Sequence, residues 1–197
     1  MIRLAEKQTL EVVKKVEFGV YLAENKEAAA EEKVLLPIKQ VPENTAVGDE
    51  IEVFIYKDSK DRMIATTKEP LLVKGETAVL KVVQVNRVGA FLYWGLEKDL
   101  FLPFKEQTKP VQVGDECLVA LYIDKSGRLC ATMKVYPYLR MDSPYGKDDK
   151  VSGVVYEISD NFGAFVAVDN CFSALIAKKE MTTKLAVGDV VQARVAS

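Results

Sequence analysis

The chain has 197 residues, 49% hydrophobic and 28% charged, with 27 Lys and Arg against 29 Asp and Glu and a formal net charge of −2. That composition excludes a disordered chain, and the near-neutral balance excludes binding of polyanions by the surface as a whole. Histidine is absent, which removes the commonest general base and the commonest nitrogen ligand for a metal.

The opening segment, Met1–Lys7, holds no apolar run of the signal-peptide kind. No later stretch approaches the ~18 apolar residues of a membrane helix, so a cytoplasmic protein without membrane contact is expected. Short alternating runs follow, near Gln8–Val16, Gly19–Ala23, Lys33–Pro37, Glu50–Lys57 and Met63–Thr67, bounded by Gly, Asp, Asn and Pro. Period two with such boundaries predicts strands. A second set matches it, near Glu76–Asn86, Gly89–Tyr93, Asp99–Pro103, Glu116–Ile123 and Leu129–Met133.

One pattern organises the chain. Phe18-Gly19-Val20-Tyr21-Leu22 returns as Val88-Gly89-Ala90-Phe91-Leu92 and as Phe162-Gly163-Ala164-Phe165-Val166. Each copy is followed by Val-Gly-Asp, ending at Asp49, Asp115 and Asp189. The internal spacing is equal in the second and third copies and four residues longer in the first, where an Ala/Glu-rich insertion lies between Ala23 and Lys33. A repeat that keeps its spacing is a fold repeated. The predicted units are 1–67, 68–135 and 147–197, with 136–146 as a linker stiffened by Pro137 and Pro144. Five short strands per unit predict an all-β chain of tandem Greek-key barrels of the oligonucleotide/oligosaccharide-binding type. The counterpart of the last-strand Thr66 and Thr132 falls beyond Ser197, so the third barrel is expected without its fifth strand, as in a fragment of a longer protein.

The first glycine of each copy is read as the bend after a long first strand, and Gly-Asp as a turn, which makes Asp49, Asp115 and Asp189 structural. The aromatic residues at the bend have two readings. Phe18 and Tyr21, Phe91 (with Trp94 nearby), and Phe162 and Phe165 are either core residues or exposed platforms for bases. Arg62 and Arg128 open the last strands after Asp58 and Asp124, either as solvated hairpin charges or as phosphate contacts. Lys39, Lys105, Lys178 and Lys179 follow the third strands and add cations. The units carry net charges of −3, +2 and −1, so phosphate binding has to use local patches.

Catalysis is not expected. No CxxC pair or phosphate-binding glycine loop is present, and the adjacent Asp148 and Asp149 would point to opposite faces of a strand. Cys117, Cys130 and Cys171 are read as free thiols, and no cofactor or metal is expected.

The glycine–aromatic corner, the Val-Gly-Asp turn and the Asp-x-x-x-Arg turn resemble the S1-type RNA-binding domain. That resemblance implies contacts with single-stranded RNA by Phe18, Tyr21 and Arg62, by Phe91 and Arg128, and by Phe162 and Phe165. The family usually carries a histidine on the third strand, where this chain has Pro37 and Pro103. With Leu-Pro-Ile-Lys and Leu-Pro-Phe-Lys in the first two units, the tandem array is similar to the bacterial family of conserved virulence factor B. This resemblance implies a C-terminal winged-helix domain outside the 197 residues and a role in post-transcriptional regulation. The alternative is a scaffold of barrels that bind proteins, some having lost RNA binding.

Overall fold

The computed structural model describes residues 1–197. Strands β1 (Lys7–Val16), β2 (Gly19–Ala23), β3 (Val34–Pro37), β4 (Glu50–Lys57) and β5 (Met63–Thr66) close into a barrel in the order β1-β2-β3-β5-β4. Inward residues alternate along the strands, and Leu10, Val12, Val20, Leu22, Leu36, Val53 and Ile55 fill the barrel. The Ala/Glu insertion holds one 3₁₀ turn, Ala30–Glu32, where the Glu32 carboxylate accepts from the Ala29 amide at 2.9 Å.

The second barrel repeats the plan. It is built from β6 (Thr77–Val85), β7 (Gly89–Tyr93), β8 (Leu100–Pro103), β9 (Glu116–Ile123) and β10 (Leu129–Thr132). Leu80, Val82, Leu92, Leu102, Val119 and Leu121 are buried in it. The third unit is a four-stranded sheet, as expected, from β11 (Lys150–Ser159), β12 (Gly163–Val168), β13 (Phe172–Ala177) and β14 (Val190–Arg194). Its order, β13-β12-β11-β14, has the neighbours of the first four strands of a barrel.

Each first strand carries a β-bulge. The register shifts across Val13 in β1, Val83 in β6 and Tyr156 in β11. A bulge adds one residue that the ladder does not pair and re-aims its side chain. The bend was expected at the corner glycines, but the extra residue lies upstream of them. The glycines answer to a different constraint, the approach of the third strand. A Cβ on Gly19 would lie 2.1 Å from the Leu36 carbonyl oxygen, and one on Gly163 2.1 Å from that of Ile176. The repeated aspartates are turn residues as read: Asp49, Asp115 and Asp189 accept from the amides of Ala46, Gln112 and Ala186 at 2.8–2.9 Å.

By compactness the chain forms two units, one of residues 1–74 with 95–98 and 123–129, the other of the remainder. Within the larger unit, β9 and β11 are joined by a buried cluster of Leu118, Ala120, Val135, Leu139, Tyr156 and Ala167. The segment between them is ordered. It forms a 3₁₀ turn at Tyr136–Tyr138, and Arg140 then pairs with the edge of β13, donating to the Cys171 carbonyl at 2.8 Å and accepting from the Ser173 amide at 3.0 Å. The Arg140 guanidinium lies over the Phe172 ring, 5.4 Å from its centroid. Thr77 donates to the Asn170 carbonyl, and Lys109 to that of Val187 at 2.9 Å. Cys117 and Cys130 are buried and Cys171 half-buried, all unpaired with one another. No helix is long and apolar enough to cross a membrane.

Candidate nucleic-acid interface

The corner glycines position the rings beside them. Because Gly19 starts β2 against Pro37 at the end of β3, Phe18 is left at the tip of the corner, 55% exposed. Tyr21 lies two residues beyond Gly19, on the outer face, and the two rings meet edge to face with centroids 6.3 Å apart. Register extends this contact into a row across four strands, in which Lys14, Tyr21, Leu35 and Ile64 stand side by side. Lys14 is exposed and the other three are half-buried.

In the second barrel the corresponding row is Gln84, Phe91, Phe101 and Cys130. Phe91 and Phe101 are half-buried, with ring centroids 5.3 Å apart. The tip residue is Val88, but pairing of Gly89 with Pro103 sets Phe104 opposite it. Phe104 is 52% exposed, so the ring missing from one side of the corner is present on the other. This residue was not singled out from the sequence. Its signal lay in Leu-Pro-Phe-Lys, and only the register shows that the Phe meets the corner. For Trp94 the core alternative holds: at 2% exposure it offers no platform.

In the third sheet Phe162 is 62% exposed at the tip. Lys178 takes the place that Ile38 and Phe104 hold in the other corners. Its amide donates to the Phe162 carbonyl at 2.9 Å and its Nζ to the Asp160 carbonyl at 2.7 Å. An ammonium is thereby held on the turn that carries the exposed ring. Phe165 lies differently from Tyr21 and Phe91. It packs on the cluster joining β9 and β11, with its ring centroid 6.1 Å from that of Tyr156. Its neighbours in the row are Glu157 and Leu175.

The arginines are tied to their turns. Arg62 pairs with Asp58 through Nε at 3.0 Å and Nη2 at 2.9 Å. Arg128 donates through Nε to Ser126 Oγ at 3.0 Å and to Asp124 at 3.3 Å. Both remain largely exposed. The Ser126 hydroxyl and the Arg128 amide hold the Asp124 carboxyl far below the usual carboxylate range. At Asp58 burial pushes the other way but is outweighed by the amide and guanidinium of Arg62 and the Lys60 amide, so this carboxyl is also lowered. Lys39, Lys105 and Lys179 are exposed on the 3₁₀ turns after the third strands.

In the first two barrels the residue beside the ring at this row departs from the charge of the whole unit, and in the third sheet it follows it. Lys14 flanks Tyr21 in the acidic first barrel, Gln84 flanks Phe91 in the basic second, and Glu157 flanks Phe165 in the third. No three His, Cys, Asp or Glu side chains gather as a metal site. Asp149 is engaged as a turn acceptor for the Gly146 amide at 2.8 Å.

The chain is 29% identical over 204 residues to the uncharacterized protein YitL of Bacillus subtilis (strain 168), across 98% of this chain and 66% of that protein. It is 27% identical over 161 residues to conserved virulence factor B of Staphylococcus aureus (strain MSSA476), across 76% of this chain and 52% of that protein. The chain thus spans about two thirds and about half of these two relatives. The fold is similar to a crystal structure of a multidomain protein with nucleic acid binding domains from Streptococcus pneumoniae TIGR4, with a TM-score of 0.60 and 20% identity over 98% of this chain and 69% of that one. Residues 6–68 and 74–134 each match the family model described as the S1 domain, and the chain belongs to that family.

Proposed function

We propose that the chain binds single-stranded RNA with little sequence preference, through the corners of its barrels, and acts without catalysis in cytoplasmic post-transcriptional control. The observation that carries this reading is an exposed ring at every corner, Phe18, Phe104 and Phe162, with lysines on the adjoining 3₁₀ turn. A base stacked on such a ring contributes roughly 1–3 kcal/mol whatever its identity, and lysines add a salt-dependent phosphate term. Arg62 and Arg128 fit the same role. A guanidinium has five N–H donors, and pairing with one carboxylate leaves others for phosphate. Linked weak sites gain affinity through effective concentration. Membership of the S1 family and the fold shared with nucleic acid binding domains support the reading.

The test is titration of labelled oligo(U) at several salt concentrations against wild type, Phe18→Ala and Phe162→Ala. Each variant is expected to bind about fivefold or more weakly, and affinity to fall with salt. Equal binding by all three, without salt dependence, would sink the stacking mechanism. The scaffold reading is favoured by one observation, the use of Phe165 in packing against the second barrel. An absence of oligonucleotide binding by wild type would leave that reading standing.

A further inference from the structure

Between the second barrel and the third sheet lies an open cleft of about 510 Å³, walled by Met133, Lys134 and Tyr136 on one side and Tyr156, Glu157 and Ile158 on the other. Its volume falls within the ~300–1,000 Å³ of ligand sites, and junctions between domains are where such sites gather. We propose that this cleft is a further nucleotide subsite, in which Tyr136 stacks on a base as the strand passes from the Phe104 corner to the Phe162 corner. This rests on the reading of the corners as RNA sites.

Three observations carry it. First, the cleft adjoins both corners. Its Met133 wall donates to the Glu106 carbonyl at 2.9 Å, and Glu106 ends the 3₁₀ turn that presents Phe104 and Lys105. On the far side Ile158 pairs with Ala164, next to the turn that presents Phe162. Second, Tyr136 is exposed yet held. The residue is 53% exposed, while Val135 before it and Leu139 after it are buried in the cluster that joins β9 and β11. The Leu139 amide donates to the Tyr136 carbonyl at 3.1 Å, and Pro137 restricts the turn. An aromatic ring fixed before the ligand arrives gives up little conformational freedom on binding. Third, the polar groups suit a nucleotide. Exposed Lys134 supplies a cation for phosphate, and the Glu157 carboxylate accepts from the N–H edge of a base.

The test uses the full 197-residue chain and fluorescence anisotropy with labelled oligo(U) of about 20 nucleotides, longer than the ~4–16 covered by one barrel. Tyr136→Ala is expected to weaken binding about fivefold or more, Tyr136→Phe to retain wild-type affinity, and Ile158→Glu to weaken binding by adding charge to the cleft wall. Circular dichroism checks that each variant is folded. If Tyr136→Ala and Ile158→Glu bind like wild type while Phe162→Ala is weakened, the cleft subsite is overturned and the corner reading stands. Loss of affinity in Tyr136→Phe equal to that in Tyr136→Ala also overturns it, because the ring is still present. If wild type binds no oligo(U), both readings fall.

Discussion

The second barrel and the third sheet place the same backbone corner in two kinds of service. In the second, the outer face behind the corner keeps Phe91 against Phe101, and the tip ring is supplied by Phe104 from the third strand. In the third, the tip ring is Phe162 from the repeat itself, while Phe165 is drawn into the contact with β9. The agent of the difference is the bulge. Its extra residue is Val83, exposed, in the second barrel and Tyr156, buried, in the third. A position outside the ladder is free to change without altering the barrel, and in the third sheet it carries a ring that packs in the cluster with β9.

The largest expected effect tests that idea directly. Tyr156→Ala should cost about 3–5 kcal/mol in urea denaturation, because it empties a cluster and removes the partner of Ser173 Oγ, 2.9 Å from the Tyr156 hydroxyl. Val83→Ala, at the equivalent exposed position, should stay within about 0.5 kcal/mol. Comparable losses for the two would break the comparison. Gly163→Ala should cost about 1–3 kcal/mol, since its Cβ meets the Ile176 carbonyl and its φ is +125°. Next come the tips. Phe104→Ala and Phe162→Ala should each weaken oligo(U) binding about fivefold or more, while Val88→Ala should leave it near wild type. A loss at Val88 equal to that at Phe104 would show that the ring had not changed sides.

The smallest effect is electrostatic. The Asp124 carboxyl is held low in the folded chain by Ser126 and Arg128, so its stabilisation is complete above the ordinary unfolded value near ~4 and is lost as pH falls below that toward the folded value. Asp124→Asn should therefore be the less stable protein at pH 7, by under about 1 kcal/mol. The gap should narrow in acid, read from urea midpoints across pH. A gap that widened on acidification would reverse the sign.

The tandem barrels, their strands and the four-stranded third sheet were legible because each depends on local spacing around a glycine. The roles of the aspartates were legible for the same reason, since a turn closes within three residues. The packing of half-buried Phe165 was not, because it rests on Leu118, Ala120 and Leu139, distant in sequence and brought together only by the fold. Phe104 was missed because its place depends on pairing of Gly89 with Pro103. Trp94 was left open because nearness to a corner in sequence says nothing of which way a ring turns. Net charge per unit could not locate the patches either: the ion next to a ring is set by cross-strand register, which put Lys14 in the most acidic unit.

The backbone clip of Arg140 on Cys171 and Ser173 has a thermodynamic meaning. Melting β13 would free Arg140, slacken the segment back to Leu139 and wet Leu118 and Ala120 on β9. Neither fold can open alone without exposing the apolar surface of the other, so β6–β14 are expected to unfold as one cooperative unit with a single heat-absorption peak. Amide exchange in β9 and β12 should then report the same opening free energy.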